Sequence, residues 1–150
     1  MQQMRARALS VLSLAAVVLS LSGCDKPRPS VTVWSGRDSQ RSEAVCWSFD
    51  ENRSLDLASC VQGATKNNRP TVNVVPGETI GVSVDKAVAA HGWYPTIGEA
   101  RLTARAVTGT YFRFALSEGN LQSGPLELRV VGLDKAGKGR GLWTFELKHA

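Results

Sequence analysis

The side chains able to do chemistry in this 150-residue chain are three cysteines, two histidines and a scatter of carboxylates. A hydrolytic site needs a nucleophile beside a base. The candidate bases are His91, at the end of a short predicted turn, and His149, one residue from the end of the sequence. Neither lies near a cysteine in sequence, and no G-x-S-x-G elbow occurs. Asp50-Glu51 shares a turn without the further oxygen ligands that calcium requires. Gly137–Gly141 has the composition of a phosphate loop but lacks the following Lys-Ser/Thr and helix. These residues predict no enzyme, no cofactor and no metal site, and leave the thiols as the groups with a legible fate.

Cys24 has the most informative surroundings. Arg5 and Arg7 precede an apolar run from Ala8 to Leu21, which leads into Leu21-Ser22-Gly23-Cys24. The run has 14 residues and includes three serines, whereas a spanning helix needs roughly 20 apolar residues. The order of basic head, short apolar stretch and small residues is that of a secretory signal, but the A-x-A-like site of ordinary cleavage is missing. The tetrapeptide resembles the lipobox of bacterial lipoproteins. That resemblance implies a diacylglyceryl group on the Cys24 thiol, cleavage after Gly23 and palmitate-type acylation. It places the protein on the extracytoplasmic face of the cell membrane. Two acyl chains, each CH₂ contributing about 0.8 kcal/mol on burial, are enough for stable anchoring.

This reading divides the chain into a signal peptide (1–23), a lipidated tether (24–30) and one domain (31–150). Without Arg5 and Arg7 the formal charge falls from +5 to +3. The residual charge, with no aromatic-interleaved basic motif, argues against a nucleic-acid partner. With Cys24 consumed, Cys46 and Cys60 remain, separated by 13 residues and placed by export where disulfides persist. They are expected to pair, and closing a loop of this size contributes about 3 kcal/mol in the chain-entropy model.

The elements that must carry these residues have period two and are rich in β-branched and aromatic side chains. Asp25–Ser30, with Pro27 and Pro29, reads as a semi-extended tether that does not pack, with Lys26 and Arg28 near anionic headgroups. Strands are expected over Val31–Trp34, Glu43–Phe49, Thr71–Val75, Thr79–Val84, Trp93–Ile97, Glu99–Thr108, Thr110–Leu116, Glu127–Val131 and Gly141–Leu147. Leu55–Cys60 is open between a helical turn and a loop. Asn67-Asn68-Arg69-Pro70 reads as a turn, and Pro76-Gly77-Glu78 as a tight connection between two strands. Asp85 is expected to cap a helical turn over Lys86–Ala90 that Gly92 ends. Asp134–Arg140 reads as a mobile hairpin loop. The pattern gives an all-β, antiparallel, immunoglobulin-like β-sandwich of about seven to nine strands, with a disulfide too local to join its sheets.

Trp47, Trp93 and Trp143 fall within strand patterns and are expected in the core, while Trp34 is expected to be partly exposed. His91, Trp93 and Tyr94, next to Pro95, form the candidate binding patch at a sandwich edge.

Several motifs in order resemble an actinobacterial lipoprotein family of unknown function. They are Cys24 with its proline-containing tether, Val31-Thr32-Val33-Trp34, the Cys46/Cys60 pair and Thr71–Val84 around Pro76-Gly77-Glu78-Thr79. Val84-Asp85-Lys86 leading to Gly92-Trp93, and Gly141-Leu142-Trp143-Thr144-Phe145, complete the match. The resemblance implies an envelope location and a small β domain, and brings no catalytic residues. The expected role is a membrane-anchored, non-catalytic module that binds an envelope protein or a wall polymer. The alternative is a small-ligand or lipid carrier, and carboxylate-only glycosidase chemistry is a weaker third possibility.

Overall fold

Alternating apolar residues fold as the period-two reading requires. A computed structural model describes residues 25–64 and 69–150, so the signal segment, Cys24 and the Asn67-Asn68 part of the expected turn lie outside the described residues. Among the described residues are ten strands. They are β1 (Ser30–Ser35), β2 (Asp38–Glu43), β3 (Cys46–Trp47), β4 (Thr71–Val74), β5 (Thr79–Val84), β6 (Trp93–Ile97), β7 (Ala100–Arg101), β8 (Tyr111–Ala115), β9 (Leu126–Leu133) and β10 (Gly139–His149). Three short helices accompany them: α1 (Leu57–Gln62), α2 (Lys86–Ala89) and α3 (Glu118–Gln122).

The strands form two sheets, an all-β sandwich. Sheet A has the order β2-β1-β5-β8, antiparallel throughout. Sheet B runs β3-β10-β9-β6-β7, and β4 adds to β10 in parallel. The eleven-residue β10 is long enough to pair β3 through Gly141–Leu142 and β4 through Glu146–His149 on one side, with β9 on the other.

Period two sorts the faces. Val31 and Val33 of β1 and Ile80 and Val82 of β5 point inward, against Val72, Val74, Trp93, Leu128, Val130, Trp143, Phe145 and Leu147 of sheet B. The outer face of sheet B carries a second apolar cluster, Val131, Leu133 and Leu142, against which Leu57, Cys60 and Val61 of α1 pack. The Cys46–Cys60 disulfide, with Cα atoms 5.9 Å apart, fastens α1 to β3 on that face. Asp56 starts α1 by accepting the Ala58 N–H at 3.1 Å. The expected pair is therefore present and local, and the ambiguous segment around Leu57 is helical.

Four expectations change. The tether packs from Arg28 onward: Arg28 Nη1 donates to the Val45 carbonyl at 3.0 Å, and the buried Trp143 Nε1 donates to the Pro29 carbonyl at 2.9 Å. The connection between Thr71–Val74 and Thr79–Val84 is tight as expected, and in it Gly77 (φ +79°) turns the chain from sheet B into sheet A. The expected strand over 99–108 keeps only Ala100–Arg101 and one bridge, Trp93 to Val107. Pro95 accepts from Leu102 N–H at 3.0 Å but has no N–H to return, so the ladder beside β6 breaks there. Residues 43–49 give the end of β2 and the two-residue β3 rather than one strand. The expected mobile hairpin is a tight turn built on buried Asp134, whose carboxylate accepts the N–H groups of Ala136 and Lys138 at 2.9 and 2.8 Å.

Candidate functional site

The expected patch of His91, Trp93 and Tyr94 is divided by the pleat of β6. Trp93 faces the core with no exposed surface, and its indole N–H donates to the Gly109 carbonyl at 2.7 Å. It is therefore not part of a recognition surface. Tyr94 points to the opposite face of sheet B, where the Arg101 guanidinium lies 3.9 Å from its ring. His91 sits in the turn before β6, with Nε2 at 3.3 Å from the Glu51 carboxylate. Tyr94 lines an open groove of about 370 Å³ with Leu57, Val61, Arg101, Val131 and Leu142.

A larger cleft, about 490 Å³, opens where the tether enters the fold. Its walls come from Lys26–Ser30, from Arg41 and Glu43 of β2, from Trp47, Phe49 and Glu51, and from Asp85, Ala87 and Ala90 around α2. Arg140 forms part of its lining. The sequence positions it through a bulge: β9–β10 pairing shifts register between Gly139 and Gly141, so Arg140 is the extra residue of β10. Bulges re-aim side chains in this way. The two flanking glycines allow close packing, with Leu57 lying over Gly139 and Trp47 over Gly141.

Arg140 is only 2% exposed. Its guanidinium lies 4.2 Å from the Trp47 ring, and Nη2 donates to the Ala87 carbonyl at 2.9 Å. Its Nε is buried and has no hydrogen-bond partner among the described residues. Glu51 and Asp134 act on it only at a distance, and burial pushes its pKa below the ordinary arginine value. A buried cation without a bonded carboxylate is costly unless an anion completes it.

The acids around the cleft are largely committed elsewhere. Glu51 pairs with Lys135 at 3.1 Å and with His91, and the Lys135 ammonium, then His91, hold its carboxyl below the usual range. Asp85 accepts the Ser30 N–H at 2.7 Å and faces Arg41 at 3.7 Å. This tie between β1 and the end of β5 replaces the side-chain helix cap expected of Asp85. Lys26 lies 5.4 Å from the ring of Phe49, an exposed aromatic at the cleft mouth. Lys26, Arg28 and Arg140 therefore face the cleft opposite one uncommitted acid, Glu43, and the balance favours an anionic group.

Sequence reasoning named Lys26 and Arg28 but missed Arg140, Trp47 and Phe49 as one site. The five contributing segments are spread from residue 26 to residue 140, and the bulge that aims Arg140 has no sequence signature beyond Gly139-Arg140-Gly141. Among the described residues, no three of His, Cys, Asp and Glu gather where they could hold a metal ion, and no helix is long and apolar enough to cross a membrane. Comparison of the chain with protein-family models, curated proteins and solved structures finds no match.

Proposed function

We propose that this chain is a cell-envelope lipoprotein, anchored by acylation of Cys24, that works as a non-catalytic binding module. Its recognition site is the cleft at the tether, and the group it takes is an anionic moiety of an envelope protein or a wall polymer. The observation that carries this reading is Arg140, a buried cation at the cleft with no bonded carboxylate. Arg28 pins the tether to the 44–45 link, so only residues 25–27 separate Cys24 from packed structure. Three residues reach roughly 10 Å at most, which keeps the cleft beside an acylated Cys24 and close to the bilayer.

Two measurements test the reading. With Cys24→Ser, the protein is expected to move from the membrane fraction to the soluble fraction and to lose its acyl mass. A photo-cross-linker at Phe49 in intact cells is expected to capture a defined partner, and Arg140→Met is expected to reduce that yield. Cys24→Ser protein that stays in the membrane would overturn the anchoring. A cross-linking pattern indifferent to Arg140→Met would overturn the site.

One observation favours the small-ligand alternative: the groove beside Tyr94 is lined by Leu57, Val61, Val131 and Leu142, an apolar set on the outer face of sheet B. Native mass spectrometry would show a bound ligand under that reading. The space between the sheets is filled by Trp93, Trp143, Phe145 and their neighbours, so a carrier cavity has no room there.

A further inference from the structure

The outer face of sheet A holds a second, unrelated arrangement. On β1, Thr32 and Trp34 point away from the core, as do Gly81 and Ser83 on β5 and Tyr111 and Arg113 on β8. Register places Trp34 beside Gly81, Gly81 beside Arg113, and Ser83 beside Tyr111. A Cβ added at Gly81 would lie 2.2 Å from Trp34 Cε2 and 2.4–2.5 Å from its two bonded neighbours, so one face of the indole rests on the Gly81 backbone. Gly81 is the residue that lets the ring lie flat. The Tyr111 ring is parallel to it within 10°, with centroids 6.5 Å apart. At that separation the two rings are displaced sideways from each other, each keeping ring area free. Tyr111 is 45% exposed.

Polar groups border these rings. Ser39 stands opposite Trp34 on β2, and Arg41 stands in the next row, opposite Thr32. Arg113 is exposed and makes no ion pair among the described residues. Arg41 is exposed and faces Asp85 at 3.7 Å. Glu43, one row further, is the nearest outward acid on β2.

We propose that Trp34 and Tyr111 form a stacking platform for a polysaccharide that carries carboxylates. A sugar ring presents a flat face of C–H bonds to an aromatic ring, while its hydroxyls remain at the rim for Ser39, Ser83 and Arg113. Two parallel rings set side by side suit consecutive sugars of an extended chain. The unpaired Arg113, opposite Gly81 in register, selects a carboxylate, which its guanidinium can take with two parallel N–H···O bonds. The assignment rests neither on Arg140 nor on acylation of Cys24.

The test uses the full chain in a polyoxyethylene detergent, which has no sugar headgroup, titrated calorimetrically with oligogalacturonate, neutral cello-oligosaccharide and oligothymidylate. Oligogalacturonate is expected to bind more tightly than the other two. Trp34→Ala and Tyr111→Ala are each expected to weaken it about tenfold, equivalent to about 1.4 kcal/mol. Arg113→Gln is expected to abolish the preference for the acidic chain. Tyr111 is exposed, so its variant tests the platform even if Trp34→Ala lowers the melting temperature. The proposal is overturned if no oligogalacturonate binds, if Tyr111→Ala binds as the parent does, or if oligothymidylate binds more tightly. Equal affinity for the neutral chain would overturn the carboxylate preference.

Discussion

Arg140 is a poor choice for stability, and the recognition role proposed for it would account for its place in the fold. Burying a guanidinium costs several kcal/mol, while its bond to Ala87 and its contact with Trp47 together return about 2–4 kcal/mol. Methionine fits the same space without the charge. Arg140→Met is therefore expected to melt within about 1 kcal/mol of the parent or above it. Chemical denaturation measures this, and a loss beyond about 3 kcal/mol would make Arg140 a structural keystone instead. Sequence reading put Arg140 in a loose loop because its bulge arises from β9–β10 register. Trp93 misled for a related reason: adjacency to His91 and Tyr94 in sequence says nothing about which side of the pleat each occupies.

The elements were legible where side chains alternate cleanly. β1, β5, β8 and the aromatic half of β10 declare themselves through Val, Ile, Phe and Trp at every second position. β2 does not, because its inward positions are Asp38, Gln40 and Ser42. Asp38 uses that orientation to join the sheets at their edge. Its Oδ2 accepts the Asn73 backbone N–H at 2.7 Å and the Asn73 side-chain amide at 2.9 Å, linking β2 to β4. The Asn73 N–H is the main influence holding the Asp38 carboxyl below its ordinary 3.8, against a smaller opposing effect of burial. A carboxylate with a depressed folded pKa stabilises the fold above the unfolded value and loses that contribution as pH falls through the folded one. Acid unfolding of the parent should thus contain a component below about pH 4 that Asp38→Asn removes. Identical stability–pH curves for the two proteins would contradict this.

The disulfide belongs to the same scale. It constrains α1 against the outer face of sheet B and takes no part in joining the two sheets. Cys46→Ala/Cys60→Ala is expected to cost about 3 kcal/mol in thermal or denaturant unfolding, with loss of protection confined first to residues 55–63. Hydrogen exchange would distinguish this from a fold that loosens everywhere at once.

For the molecule as a whole, the start of the described chain is fastened to its last strand. Trp143 donates to Pro29 across 114 positions of sequence. Asp85 and Ser30 exchange two bonds beside it, at 2.7 and 3.1 Å. The tether is consequently part of the structure it was expected only to carry. Trp143→Phe keeps the ring packing and strands the Pro29 carbonyl, an expected cost of about 1–3 kcal/mol. Faster exchange of the Ser30 and Asp85 amides should accompany it, and unchanged exchange would show that the tether is held by other contacts.

The long last strand has a consequence in time as well as in space. β10 is the common neighbour of β3, β4 and β9, and among the described residues β3 and β4 pair with no other strand, so these two wait for residues 139–149 before they have anything to pair with. A chain made or threaded from its N-terminus exposes Trp47 and Val72 throughout that interval, and pairings of such long sequence separation form slowly. Sheet A has its four strands available once residue 115 has emerged. Sheet B can pair β6 with β7 and β9 before β10 is made, but β3 and β4 join it only after residues 139–149 have emerged. A chain stopped before Leu142 would therefore hold β3 and β4 without the strand that joins them to the rest of sheet B.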